Sequence, residues 1–321
     1  SVDACLLVMY LGKEKRTTEA TIYSGLQVTH KLSKFGLYNK ELIANIDEYQ
    51  HVKDIAGISY YTWRSGVKHD AANVMELAHD GENFINGFEE RVDVEPDYIY
   101  PLLKSSDIGN NHVIPRKYIL LTQKHIGEDT KHIEIDAPKT WNYLLKYADI
   151  LDKRKSSIYK QRPRFSIFGV GEYSFAPWKV TISGLYKQIQ FPVVGTLSGK
   201  PIMLDDTCYF IPCYSYDEAF FISTLLNSEI CQRFLRSLIF FDAKRPITKN
   251  ILQRIDLKKL AERYDLAEQA YKYLAYTQVN FSGQPSFVFD DKESYYPIQK
   301  HANERMNTNP RRRGEKVGCP N

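Results

Sequence analysis

The sequence predicts a mixed α/β fold, and two patterns predict it. Short apolar runs of strand composition are separated by Gly, Pro and Asp turns, and longer stretches carry apolar residues at helical spacing behind capping residues. A third observation bounds the class. At 321 residues and 43% hydrophobic content, the chain is long enough for roughly two domains and buries a core without staples.

In chain order, residues 2–10 and 17–23 read as strands, and an opening directly on an apolar strand suggests that something upstream has been cut away. From 41 to 68 short apolar pieces alternate with polar ones. Asp70 is placed to cap a helix carrying Val74, Leu77 and Ala78, which Asp80-Gly81 ends. Residues 118–123 form the next strand. Pro138 then starts a helix whose Trp141, Leu144, Leu145, Ala148 and Leu151 share an apolar face. The segments 165–168, 178–182, 202–204 and 208–211 make the most sheet-rich part. Ser215-x-x-Glu218 has the form of a capping box before Phe221, Leu225 and Leu226, in a long or broken helix that reaches Leu238. Another helix covers 251–264, and beyond Asn280 the chain turns polar and is expected to be poorly ordered. No internal repeat is visible.

Composition excludes several classes. The longest apolar runs fall short of the ~20 residues that cross a bilayer, and the N-terminus lacks the basic stretch of an export signal. Five cysteines, an odd number with no Cys-x-x-Cys pair, read as reduced thiols. Together these predict a cytoplasmic protein with no membrane partner. The net charge of +4 matters less than where the charges lie.

Lys153, Arg154, Lys155, Lys160, Arg162 and Arg164 put six cations within twelve residues, interleaved with Ser156, Ser157, Tyr159 and Gln161. Cations with hydrogen-bonding side chains between them suit phosphates and base edges. They equally suit a solvated helix end that offsets the helix dipole, and charge alone does not choose. Arg233, Arg236, Lys244, Arg245, Lys249 and Arg254 form a second concentration, of a kind that ordinary helix surfaces also carry. The polar loop Ser65-Gly66-Val67-Lys68-His69-Asp70 is a place from which Lys68 or His69 approaches a groove, or is simply exposed.

Catalytic signatures are sparse. Phe168-Gly169-Val170-Gly171 begins like a nucleotide-binding turn, but no third glycine follows, which favours a tight turn. There is no His-Glu-x-x-His pair and no Gly-x-Ser-x-Gly elbow. Asp242-Ala243-Lys244, with Glu229 as a second carboxylate, has the outline of a metal-dependent nuclease site. A helix-to-loop transition explains that pattern equally well.

Several stretches are more specific taken together: Ser65 to Asp70, Tyr100-Pro101-Leu102-Leu103-Lys104-Ser105-Ser106-Asp107, Pro115-Arg116-Lys117-Tyr118, and Lys153-Arg154-Lys155-Ser156-Ser157-Ile158-Tyr159. To these add Phe165 to Gly171, Trp178-Lys179-Val180-Thr181-Ile182-Ser183-Gly184-Leu185-Tyr186, Leu204-Asp205-Asp206-Thr207-Cys208-Tyr209-Phe210, and Asp242-Ala243-Lys244-Arg245-Pro246-Ile247-Thr248-Lys249. Over these stretches the chain resembles the region that follows the catalytic domain in adenine-specific DNA methyltransferases of bacterial restriction–modification systems, including enzymes that fuse methylase and endonuclease.

The resemblance implies a target-recognition region with mixed sheets and flanking helices. Residues 1–40 would be strands from the end of a methyltransferase domain, 41–163 and 164–275 the two parts of the recognition region, and 276–321 a polar tail. In that family the catalytic domain binds S-adenosylmethionine through a Gly-containing turn, and an Asn-Pro-Pro-aromatic motif grips the extruded adenine. Neither is in this sequence, where Asn309-Pro310 is followed by Arg311. The implied chain is therefore non-catalytic by itself and holds no cofactor or metal. Its implied partners are double-stranded DNA and a catalytic domain, in cis or separate, that uses S-adenosylmethionine. Contacts to DNA are implied for Lys68, His69, Lys104, Ser105, Ser106, Lys153, Arg154, Lys155, Ser156, Tyr159, Lys160, Arg162, Lys179, Lys244 and Arg245. Two other readings stay open: a metal-dependent endonuclease built on Asp242 and Lys244, and an interaction domain contacting a methylase subunit.

Overall fold

In the computed structural model, residues 6–8, 12, 17–23 and 31–274 are described. Most of the expected strand at 2–10, and the tail at 276–321, lie outside these residues. The fold is mixed α/β with mixed sheets and flanking helices. Strand Glu19–Tyr23 pairs antiparallel with Lys31–Tyr38, which pairs with Glu41–Ile43. Asn45 then caps helix Ile46–Val52, its side-chain oxygen accepting the Glu48 amide at 3.1 Å.

Two larger sheets carry the core. Trp178–Ser183 pairs along its length with Cys208–Cys213, while Val193–Val194 and Arg64–Ser65 extend the two edges, all antiparallel. Helices Tyr216–Leu226 and Ser105–Gly109 both pack on Trp178–Ser183. Both residue parities of that strand are buried, as expected for a strand covered on both faces. The second sheet runs Met203–Leu204, Ile99–Leu103, Lys117–Leu120, Glu76–His79, Phe84–Ile85, Arg91–Val92, parallel only in its first pair.

Trp63, Phe191, Tyr209 and Phe234 centre one core cluster, and Leu77, Leu102, Ile119, Leu144 and Phe165 a second. A third draws Leu103 and Leu204 from the six-stranded sheet and Phe210 from the four-stranded one. Each buried side chain of this size contributes roughly 1.5–3 kcal/mol, so the third cluster holds the sheets, and the loops between them, in fixed register.

Several elements differ from expectation. The helix predicted after Asp70 is one turn, Ala72–Met75, and Leu77 lies instead on a strand opposite Tyr118. Leu77 is fully buried there, and that pairing overrides helical spacing. Asp70 is no cap; its carboxylate accepts from Lys68 Nζ at 2.8 Å. The helix over 251–264 divides into Lys249–Leu252 and Leu257–Glu262, because Asp256 turns its amide to Ile55 and caps Lys258 and Lys259. The helix reaching Leu238 is likewise broken, into Tyr216–Leu226 and Glu229–Leu238. Ser215 caps the first as expected, but the Glu218 carboxylate takes the Tyr214 amide and the Tyr61 hydroxyl instead of closing the box. Residues 165–168 form no strand; Phe168 alone bridges, to Lys68. Pro138 starts its helix, Pro138–Lys146, with Leu144 buried and Leu145 40% exposed. Among the described residues no helix is long and apolar enough to cross a membrane.

Candidate nucleic-acid interface

Segments remote in sequence meet around residues 66–70. The Gly66 amide donates to Cys208 O at 3.1 Å, Val67 N to Leu204 O at 2.7 Å, and Lys68 exchanges both backbone bonds with Phe168 at 2.9 Å. A Cβ on Gly66 would lie 2.2 Å from the Leu204 and Asp205 carbonyl oxygens, and one on Gly169 would lie 2.0 Å from Gly66 O. Gly169 also has φ of 67°. Only glycine lets these backbones approach, which gives the Phe168-Gly169-Val170-Gly171 stretch its role as a tight packing turn.

This junction gathers charge. Lys68 Nζ is 2.8 Å from Asp70 and 3.6 Å from Asp206, and an Arg245 guanidinium nitrogen is 3.9 Å from the same Asp206 oxygen. Buried Glu76 receives Lys104 at 2.6 Å and Lys117 at 3.0 Å, with His69 Nε2 at 3.5 Å. Burial pushes the Glu76 carboxyl up, but hydrogen bonds from His69, Lys104 and Lys117 outweigh it and hold its pKa well below the usual carboxylate range. For Lys68 and Lys104 burial lowers the pKa, and their carboxylate partners more than restore it. Sequence reasoning missed Glu76 altogether, since its two lysine partners lie 28 and 41 residues away.

The six cations of 153–164 meet different fates. Arg154 donates to the carbonyls of Leu151 at 2.7 Å, His69 at 3.1 Å and Ser166 at 2.7 Å, and its guanidinium sits 3.8 Å from the Tyr159 ring centre. Burial lowers its pKa. Tyr159 in turn meets Phe168 edge-on at 5.4 Å, and burial raises its phenol. Arg164 makes a forked pair with Asp152. Lys153, 78% exposed, lies 3.6 Å from Asp149, while Lys155, Lys160 and Arg162 are exposed and Ser156 is half-buried. Arg154 and Tyr159, both half-buried, thus anchor the segment: main-chain carbonyls and ring packing tie them down.

Three more of the residues expected to contact DNA are buried. His69 is 7% exposed, its Nδ1 accepting the Ala71 amide. Ser105 is buried with its hydroxyl 2.5 Å from that of Ser183. Lys179, 1% exposed, donates to Ala176 O at 2.9 Å inside the sheet, and burial pulls its pKa down to about 7. A strand covered on both faces swallowed a lysine that alternation alone would have left outside. Ser106 and Lys244 are exposed, and Arg245 and Lys104 are partly so. Asp242 is exposed, and Glu229 opens its helix 3.9 Å from Arg233. Among the described residues no three His, Cys, Asp or Glu side chains converge on a metal-sized site.

No protein-family model matches the chain. It is 44% identical over 264 residues to the type II methyltransferase M.NspV of Nostoc sp. (strain ATCC 29411 / PCC 7524), covering 82% of this chain and 55% of that protein. The chain thus spans about half the length of this curated relative. Among solved structures, that of the type IIL restriction-modification enzyme MmeI in complex with DNA aligns with a TM-score of 0.35 at 14% identity, over 65% of this chain and 27% of that one. At 44% identity, the chain is a homologue of part of a type II methyltransferase.

Proposed function

We propose that the chain recognises duplex DNA as the specificity part of an adenine-specific DNA methyltransferase in a restriction–modification system, and that methyl transfer is carried out by a catalytic domain, in cis or on a separate chain. The observation that carries this reading is the 44% identity to a type II methyltransferase over 264 residues. Exposure supports the reading, since Lys153, Lys155, Lys160 and Arg162 of the anchored basic segment all lie at the surface. These cations neutralise phosphates, and polar side chains beside them read base edges.

S-adenosylmethionine is the cofactor such an enzyme requires, and among the described residues the Gly-rich turn at 168–171 does not fit it. That turn is filled on its open side by the Gly66 backbone, and a four-residue 3-10 helix, Glu172–Phe175, follows it. A dinucleotide-type cradle needs room for the ligand and a helix whose amides face it. The catalytic domain supplies the cofactor site in this reading, and the chain contributes positioning of the target adenine for extrusion.

A randomised duplex pool titrated by fluorescence anisotropy at two salt concentrations, with sequencing of the retained fraction, tests the proposal. Enrichment of one adenine-containing motif with steeply salt-dependent affinity is the expected result. Salt-insensitive binding, or none, sinks it. Calorimetry with S-adenosylmethionine is expected to show no heat of binding to the chain alone; stoichiometric binding overturns the division of labour.

A further inference from the structure

The anchored basic segment carries a single carboxamide, Gln161, between Lys160 and Arg162. All three are exposed. Gln161 has φ of 58°, a left-handed conformation that glycine or asparagine adopts readily and glutamine rarely. The chain on both sides of it is fixed. Ahead of it, Lys160 N donates to Ser157 O at 3.1 Å and the Tyr159 ring is held between Arg154 and Phe168. Behind it, the Pro163 carbonyl accepts the amide and the hydroxyl of Ser166. A sparsely populated backbone state persists where its surroundings enforce it, and such states gather at functional sites.

A glutamine carboxamide offers one donor and one acceptor in a plane, which matches N7 and the N6 amino group of adenine in the major groove. The ammonium and guanidinium beside it suit phosphates. We propose that Gln161 is a base-reading residue, pairing with the major-groove edge of an adenine from a tip that Arg154 and Tyr159 hold rigid. This rests on the reading of the chain as a DNA-recognition module and adds which residue discriminates. Arg154 is a positioning residue in this scheme.

The test compares the 321-residue chain with its Gln161→Gly and Lys155→Ala variants in the pool-enrichment assay. Glycine relieves the left-handed backbone, so Gln161→Gly is expected to unfold at the same temperature as the parent or higher. It is expected to keep pool affinity within about threefold while losing about tenfold or more of the preference at one adenine position. Lys155→Ala is expected to lose affinity at every sequence alike. A Gln161→Gly variant that enriches the parent's motif unchanged overturns the proposal and leaves DNA recognition standing. Preference lost evenly at all positions also overturns it, because that marks a general disturbance of the segment. A parent chain that binds duplexes without enrichment overturns base reading in this chain, and one with no salt-sensitive binding overturns the recognition reading with it.

Discussion

Two sets of cations lie close together and differ in availability. Around residues 66–70, Lys68, Lys104 and Arg245 each face a carboxylate within 4 Å, whereas along 153–162 Lys155 and Lys160 stand exposed. A carboxylate at that distance cancels most of a cation's field beyond a Debye length of about 8 Å at physiological salt. In the proposed reading the exposed set attracts a duplex from afar, and the paired set engages a phosphate only by exchanging one anion for another. Lys179, in the sheet interior, is out of reach of either role. Counting basic residues treats all of these alike.

The comparison is broken most severely at the glycines. Gly169→Ala forces a Cβ into the Gly66 carbonyl at a left-handed φ, and urea unfolding is expected to show a loss of about 3 kcal/mol or more. An unchanged midpoint would mean that the junction is not set by this backbone approach. Next, Arg154→Ala strips a donor from the His69 and Ser166 carbonyls and is expected to cost about 2 kcal/mol. Its neighbour Lys155→Ala is expected to leave stability within about 0.5 kcal/mol and to lower the salt slope of DNA binding by about 1. Equal stability losses would erase the distinction between anchor and rim.

Lys179 sharpens the comparison through pH. Its pKa falls from 10.5 to about 7 on burial, so between those values the unfolded chain binds more protons than the folded one. Stability therefore rises with pH across that window, by up to about 1.4 kcal/mol per unit from this group, and the cost is fully present below it. The difference between parent and Lys179→Met in unfolding free energy from pH 6.5 to 10 is expected to show that slope; a flat difference would mean that the ammonium is solvated in the folded state. The smallest effect is expected for Asp206→Asn, which removes a carboxylate facing Lys68 and Arg245. Affinity for duplex DNA should rise about threefold and its salt slope steepen by up to about 2. Weaker binding would make Asp206 a brace for the loops.

Local signals were legible in the sequence where local physics decides. Pro138 and Ser215 open helices as read, and the strand pair Trp178–Ser183 and Cys208–Cys213 was visible as apolar runs between turns. The Asp256 cap that divides 251–264 was readable too, and apolar spacing masked it. The site was legible as a segment and not as residues. Lys153 and Arg154 are adjacent and equally charged, and what separates them is a carbonyl 85 residues from Arg154. His69, Ser105 and Lys179 sit in polar-looking surroundings whose burial arises from packing between sheets, which no local window contains.

The partners of Arg154 have a further consequence, for how specificity drifts. Its three hydrogen-bond acceptors are main-chain carbonyl oxygens, and every amino acid supplies one. Side chains at 151, 69 and 166 can change without removing the acceptors that hold the loop. In the proposed reading, an exposed tip seated on so generic a socket is free to be rewritten, residue by residue or by grafting, provided that Arg154 and the Tyr159 ring against it travel along.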